Sequence, residues 1–282
     1  MRLLYLDGNI CTGKSSTIKY LRKTTSPDEF LFLPEPINTY ESLILKSGQN
    51  VNCLKNFYDN IGNPETEEIS SVHMQLVAMS TLSKQYDHLK YLTSDPRFCI
   101  GERGLHSVEI FSHAQYKLGY ITELTYTILQ FILQQLRAHF PQPELIFHLT
   151  APSHVLYRRI RQRQRLSEKN ITRKYLKQLC QSYDKFLGPI AIAVPTSDNP
   201  TATAEKIFAL ITLYKTNMTK QELQTLALND QDHWGLLENP TFQLQLLNIR
   251  EEENKPQSKE KHVTFELPSR DINSNLPNDT LG

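Results

Sequence analysis

The sequence predicts an α/β fold: a five-stranded parallel sheet with helices on both faces. Three observations predict it. Short runs that are apolar throughout alternate with helix-length segments, the pattern of a parallel sheet covered on both sides. A glycine loop follows the first run and opens a helix. Polar groups cluster at the carboxyl ends of the runs, where such sheets hold ligands: Gly8 after the first, Glu35 after the second, Glu102 and Arg103 after the third.

The elements follow in order. Residues 3–6 form the first strand, and 14–23 the helix after it. "FLFL" at 30–33 is the second strand, ended by Pro34-Glu35-Pro36. Residues 71–91 read as a long helix, because Val72, Leu76, Met79, Leu82 and Leu89 recur at helical spacing. "FCI" at 98–100 is the third strand, and 121–139 a helix closed by Pro141. "LIFHL" at 145–149 is the fourth strand, with helices over 154–165 and 172–187. "IAIAV" at 190–194 is the fifth, and 202–214 the final core helix.

These elements define one domain over 1–219. Residues 220–250 read as a partly apolar appendage. Residues 251–282 are rich in Lys, Glu, Asn, Ser and Pro and read as a disordered tail, with "HVTFEL" a short linear motif within it. No internal repeat is present.

Charge is balanced, 31 Lys+Arg against 30 Asp+Glu, so no general attraction to nucleic acid or anionic membrane is expected. The four cysteines lie far apart, without metal-ligand spacing, and read as reduced intracellular thiols. No apolar run approaches the roughly 20 residues of a membrane helix. The first strand leaves no room for a presequence, so the expected location is cytoplasm or nucleus.

"GNICTGKS" fits the phosphate-loop pattern from Gly8 to Ser15. The backbone of Gly8, Asn9, Ile10, Cys11, Thr12, Gly13, Lys14, Ser15 and Ser16 is expected to wrap nucleotide phosphates. Lys14 supplies a point charge to the β- and γ-phosphates, and the Ser15 hydroxyl is placed for Mg²⁺. Cys11 reads as a tolerated small side chain. No N-K-x-D base-reading motif follows, which argues against a GTPase switch. Glu35, at a strand end between two prolines, suits the proton acceptor for an attacking hydroxyl.

Between Arg158 and Arg165, five of eight residues are arginine. On a helix, Arg158, Arg161 and Arg165 share one face and Arg159 and Arg163 another. The guanidinium fork matches phosphate oxygens, so the run reads as a lid over a transferring phosphate.

In order and context, "DGNICTGKS", "PEP", "ER" and "RQRQRLSE" resemble the deoxynucleoside kinases, both cellular and herpesvirus thymidine kinase types, over roughly residues 1–215. The resemblance implies a P-loop kinase fold with ATP and Mg²⁺ as cofactors. Lys14 and Ser15 would hold ATP phosphates and metal, and Glu102 would assist at the metal. Glu35 would be the base for the deoxyribose 5′-hydroxyl, with Arg103 holding that end of the substrate. Arg163 and Arg165 would stabilise the transferring phosphoryl group. Glu168 and Tyr58 would reach the 3′-hydroxyl, and Gln75 (Gln85 is the alternative) would pair with the base, with Tyr40 beside it. The partner is a small deoxynucleoside; the family is commonly dimeric through helices, so a homodimer is one option, with 121–139 apolar enough to contribute.

There are departures. Gly104 stands where the family usually has a serine, which is expected to loosen that turn. Ser167 replaces an acidic residue of the lid. Phe111 is one position short of an aromatic that stacks on the base. Leu82 and Val108 stand where the deoxycytidine-preferring branch has arginine and aspartate, and neither pairs with cytosine. A glutamine alone can bond thymine O4/N3 or, flipped, cytosine, so the expected substrate is a pyrimidine deoxynucleoside with thymidine first. A thymidylate kinase, which would normally carry an arginine where Pro34 stands, and a catalytically degenerate scaffold are the alternatives.

Overall fold

The computed structural model describes residues 2–91, 97–196 and 199–228. In chain order the elements are β1 (Arg2–Gly8), α1 (Lys14–Thr24), β2 (Phe30–Leu33), α2 (Ile37–Glu41), β3 (Leu43–Ile44), β4 (Asn50–Val51), α3 (Cys53–Asp59) and α4 (Glu67–Lys90). There follow β5 (Phe98–Glu102), α5 (Leu105–Leu118), α6 (Glu123–Arg137), β6 (Leu145–Thr150), α7 (Ser153–Arg163), a 3₁₀ turn (Leu166–Glu168), α8 (Arg173–Leu187), β7 (Ile192–Pro195), α9 (Pro200–Lys215) and α10 (Lys220–Leu228).

Five strands form one parallel sheet in the order β2-β5-β1-β6-β7, as expected, and β3-β4 is a small antiparallel hairpin. β1 is central, so its side chains are buried on both faces. Leu3 and Tyr5 join the core beneath α4, α5 and α8; Leu4 and Leu6 join the core beneath α1 and α9. The period of two along β1 thus divides the protein into two cores. The chain ends of β1, β2 and β5 open on the same edge, which brings Gly8, Glu35 and Glu102 together.

Four helices lie outside the sequence expectation: α2, α3, α5 and α10. The largest, α5, buries Ser107, Val108, Ile110, Ser112, His113, Ala114 and Gln115, so polar and apolar residues alike face inward. That erases the one-sided stripe by which a helix is read. α10 begins beyond the expected boundary at 219, yet it packs on β7 and α9. Leu223 and Ala227 are fully buried, and Gln224 accepts a hydrogen bond from the Ala193 amide at 2.9 Å. The remainder of the appendage and the tail, with "HVTFEL", lie outside the described residues.

α6 buries Leu129 and Leu133 and exposes Leu124, Ile128 and Phe131. Among the described residues no helix is long and apolar enough to cross a membrane.

Candidate active site

A cavity of about 880 Å³ opens at the chain ends of β1, β2 and β5. The phosphate loop forms its floor. Gly8 sits at φ +152°, and a Cβ there would lie 2.4 Å from the Leu149 carbonyl oxygen of β6, so only glycine fits. Ile10 through Ser16 line the cavity, whereas Gly8 and Asn9 lie behind it. Asn9 is buried and serves the loop from below: its Nδ2 donates to the Leu176 carbonyl at 3.0 Å and its Oδ1 accepts from the Ile10 amide at 2.7 Å. Cys11 adopts a left-handed backbone, φ 62°. Gly13 caps α1, whose first-turn N–H groups face the cavity. Lys14 Nζ donates to the carbonyls of Gly8 (3.0 Å) and Asn9 (2.9 Å). Burial, with Arg103 nearby, lowers the Lys14 pKa to about 8.

The ends of β2 and β5 supply three charges. Arg103 Nε lies 3.1 Å from Glu35 Oε1, an ion-pair distance without the alignment of a hydrogen bond. Ser15 Oγ donates to Glu102 Oε1 at 2.7 Å, and the Glu35 amide approaches Glu102 Oε2 at 3.5 Å. Burial and the neighbouring Glu35 push the Glu102 carboxyl above its ordinary value. Arg103 is held from behind by Asp7 and Tyr183: its Nη1 donates to the Tyr183 hydroxyl, which donates to Asp7 Oδ1 at 2.9 Å. Asp7, fully buried, also accepts from Ser107 and lies 2.6 Å from His106 Nε2. Burial alone would raise its pKa; His106, Arg103 and Lys14 together hold it well below the carboxylate range.

The arginine run closes the far side. α7 ends at Arg163, because Gln164 takes a left-handed turn at φ 54°. The expected helical face of Arg158, Arg161 and Arg165 is therefore broken. Arg161 bonds the Tyr157 hydroxyl at 2.8 Å and does not line the cavity; Arg158, Arg159, Arg163 and Arg165 do. Arg159 donates to the Cys11 carbonyl at 3.4 Å and to Thr196 Oγ1 at 3.2 Å, tying the lid to the loop. Buried Glu168 grips both Arg163 and, at 3.1 Å, Arg165. Ser167 donates to Glu41 Oε1 of α2 at 2.6 Å. An acidic residue at 167 would face that carboxylate, so serine suits the local charge.

The remaining wall is neutral. Tyr40, Tyr58 and Gln75 are buried and line the cavity, with Met74, Ala78, Leu82 and Val108 beside them. Burial raises the pKa of both tyrosines, so their hydroxyls stay protonated. Phe111 lies on this wall, with the Arg103 guanidinium 4.8 Å from its ring centroid. The alternative Gln85 is engaged elsewhere: its Nε2 donates to the Pro34 carbonyl at 3.0 Å.

Residues 4–207 match the family model for deoxynucleoside kinase. The chain belongs to the deoxynucleoside kinase family. The mitochondrial deoxyguanosine kinase of Xenopus laevis is 25% identical over 197 residues, covering 66% of this chain and 73% of that one. The mitochondrial NADH dehydrogenase [ubiquinone] 1 alpha subcomplex subunit 10 of Mus musculus is 24% identical over 196 residues, 67% of this chain and 54% of that one. The Bos taurus form is 25% identical and also covered over 54%. The chain thus spans about half the length of these two subunits. Among solved structures, deoxyadenosine kinase from M. mycoides, described with dCMP and dCDP or with dATP, superposes with a TM-score of 0.58 at 17% identity, covering 77% of this chain and all of that one. That likeness is one of fold.

Within this deoxynucleoside kinase fold, the cavity gathers the site residues expected from the sequence except Gly8, Asn9 and, from the arginine run, Arg161. Sequence reasoning missed Asp7, Ser107, His106, Glu41 and Tyr183. Asp7 was in plain view beside Gly8. Tyr183, 176 residues away, carried no local signal.

Proposed function

We propose that the chain is a deoxyribonucleoside kinase, transferring the γ-phosphoryl group of ATP to the 5′-hydroxyl of a pyrimidine deoxyribonucleoside, thymidine first. One observation carries this reading: a single cleft holds Lys14, Glu35, Arg103 and the lid arginines around one space. Lys14 and the loop amides hold the donor phosphates. Glu35 takes the proton of the attacking hydroxyl, and Arg103 keeps that carboxylate oriented. Arg163 and Arg165, steadied by Glu168, face the charge that develops on the phosphoryl oxygens. Glu168 and Tyr58 meet the 3′-hydroxyl.

Ser15 and Glu102 present a hydroxyl and a carboxylate 2.7 Å apart at the loop. Mg²⁺ takes few protein ligands beside substrate phosphates, so this pair fits it, although no group of three or more His, Cys, Asp or Glu side chains arranged to hold a metal ion occurs among the described residues. When bound, Mg²⁺ neutralises charge on the phosphate oxygens.

Thymidine is favoured because the base end of the cleft carries no charge. The Gln75 amide matches the O4/N3 edge of thymine, and Met74, Ala78, Leu82 and Val108 offer the 5-methyl group apolar company. The relatives named for deoxyguanosine and deoxyadenosine keep purines in the test. With Mg·ATP, kcat/KM should be highest for thymidine, with deoxycytidine next. A purine preference would overturn the base reading, and turnover of thymidylate alone would point to a monophosphate kinase. Pro34, in place of a phosphate-holding arginine, argues against the latter.

The scaffold reading draws on the NADH dehydrogenase subunits among the relatives, and failure on every nucleoside would favour it. It leaves the converged charges of the cleft without a purpose. Four free cysteines suit a reducing intracellular compartment; cytoplasm or nucleus is our first reading, and the relatives named as mitochondrial keep the mitochondrion in the test. A homodimer would cover the exposed Leu124, Ile128 and Phe131 of α6.

Lys14 makes donor binding pH-dependent. With its pKa lowered to about 8, it loses its proton as pH rises through that value. ATP affinity of the free protein should therefore weaken above about pH 8. Calorimetric titration from neutral to alkaline pH should show the inflection, and Lys14→Arg, which keeps its charge, should remove it.

A further inference from the structure

Arg103 holds its place by an unusual backbone. Its φ is +65°, the left-handed region that a residue with a long side chain rarely enters. Arg103 follows Glu102 at the end of β5, and its amide donates to the Leu6 carbonyl of β1 at 3.2 Å. Something must keep this turn from relaxing.

The neighbour that meets the turn on both sides is Tyr5. In the parallel register of β1 and β5, Tyr5 stands opposite Gly101. A Cβ on Gly101 would lie 2.6 Å from Tyr5 Cε1, and one on Gly104 would lie 2.9 Å from Tyr5 Cζ. Neither glycine has a left-handed φ, so backbone freedom does not explain them; the Tyr5 ring crowds both, and at Gly104 the His106 ring, 3.0 Å from such a Cβ, crowds it as well. The ring is itself fixed. Tyr5 is buried, its hydroxyl is bonded to that of Tyr86 on α4, and it meets His106 edge-on at a centroid distance of 5.2 Å. His106 in turn contacts Asp7 at 2.6 Å, and Asp7 backs Arg103.

We infer that Tyr5 is a positioning residue for Arg103: its ring, seated on the bare backbone of Gly101 and Gly104, clamps the turn that aims the guanidinium at Glu35. Gly104 then does not loosen the turn, as the sequence suggested. It is the complement of the Tyr5 ring and of the His106 ring packed on it, and a side chain at 104 needs the room that a smaller residue at 5 would open. Tyr5 does not line the cavity. The inference rests on the kinase reading for its kinetic consequences, though its geometry stands apart from them.

The test is a double-mutant cycle on the full chain, assayed with Mg·ATP and the best nucleoside, with melting temperatures for every variant. Gly104→Ser should lower kcat about 100-fold while KM for ATP stays within about threefold. Tyr5→Ala should lower kcat similarly. Tyr5→Phe keeps the ring and should keep kcat within about threefold of the parent, while its melting temperature falls because Tyr86 loses a partner. The double variant Tyr5→Ala/Gly104→Ser should recover at least about tenfold in kcat over Gly104→Ser alone. Tyr5→Leu replaces Tyr5→Ala throughout if the latter does not fold.

Strictly multiplicative losses in the cycle would overturn the proposal, as would a Gly104→Ser enzyme with kcat near the parent's. A crystal structure of Gly104→Ser decides it without turnover. Arg103 should leave the left-handed region and Nε should move beyond ion-pair reach of Glu35; an unchanged Arg103 overturns the inference. If the parent phosphorylates no nucleoside, the kinase reading fails, and that structure still decides the clamp.

Discussion

Glu35→Gln is expected to lower kcat by about a thousandfold while ATP affinity changes little, since general base catalysis contributes roughly 10² to 10⁴. The substitution is close to isosteric. A glutamine oxygen can still face Arg103 Nε, now 3.1 Å from Glu35 Oε1, so the turn and the cleft keep their shape. What is lost is the capacity to accept the proton of the attacking hydroxyl. In the proposed reading the donor phosphates rest on Lys14 and the loop amides; Glu35 acts on Lys14 through its charge alone, so ATP affinity should change far less than kcat. Single-turnover phosphorylation and calorimetric ATP titration separate the two. Undiminished turnover would remove Glu35 from its role; equal loss of ATP binding would mean that the cleft itself had collapsed. Glu35→Asp, which keeps the carboxylate but shortens it by a methylene, should fall between the two proteins.

The parts of this site that were legible in the sequence are those with local signals. The phosphate loop needs glycines, lysine and serine within eight residues, so its spacing announces it. β2 reads residue for residue, because an apolar run stops at prolines. α5 was illegible because the helix is buried nearly all round and starts at Gly104 without a side-chain cap. The end of α7 was illegible for a different reason. Gln164 turns left-handed with neither glycine nor proline to mark it, and that single residue moves Arg165 off the helix. The pairing of Tyr5 with Gly101 and Gly104 exists only in the sheet register.

The long-range network also explains how so many charges share a small space. Asp7, Lys14, Glu102, Arg103 and Glu168 are all nearly inaccessible. An isolated buried charge is costly, whereas here each faces a partner of opposite sign or accepts hydrogen bonds. Fixed dipoles and charges of this kind stabilise developing charge without reorganising, which suits phosphoryl transfer. The same arrangement makes removal of any one member affect the others.

That coupling sets the second large effect. Arg163→Ala is expected to lower kcat about a thousandfold, the low end of what an arginine on a transferring phosphoryl group contributes. Arg163→Lys should recover only part of it, because the ammonium lacks the fork that spans two oxygens. Glu168→Ala should cost at least about a hundredfold, since it frees both Arg163 and Arg165 from the one carboxylate that grips them. The two losses should not multiply. Once Glu168 is gone Arg163 is already misplaced, so Arg163→Ala/Glu168→Ala should lose less than the product of the two single losses, the extra loss over Arg163→Ala coming from Arg165 and the 3′-hydroxyl contact. Steady-state kcat across the four proteins measures the coupling, and fully multiplicative losses would show that Glu168 acts on the substrate alone rather than through the lid.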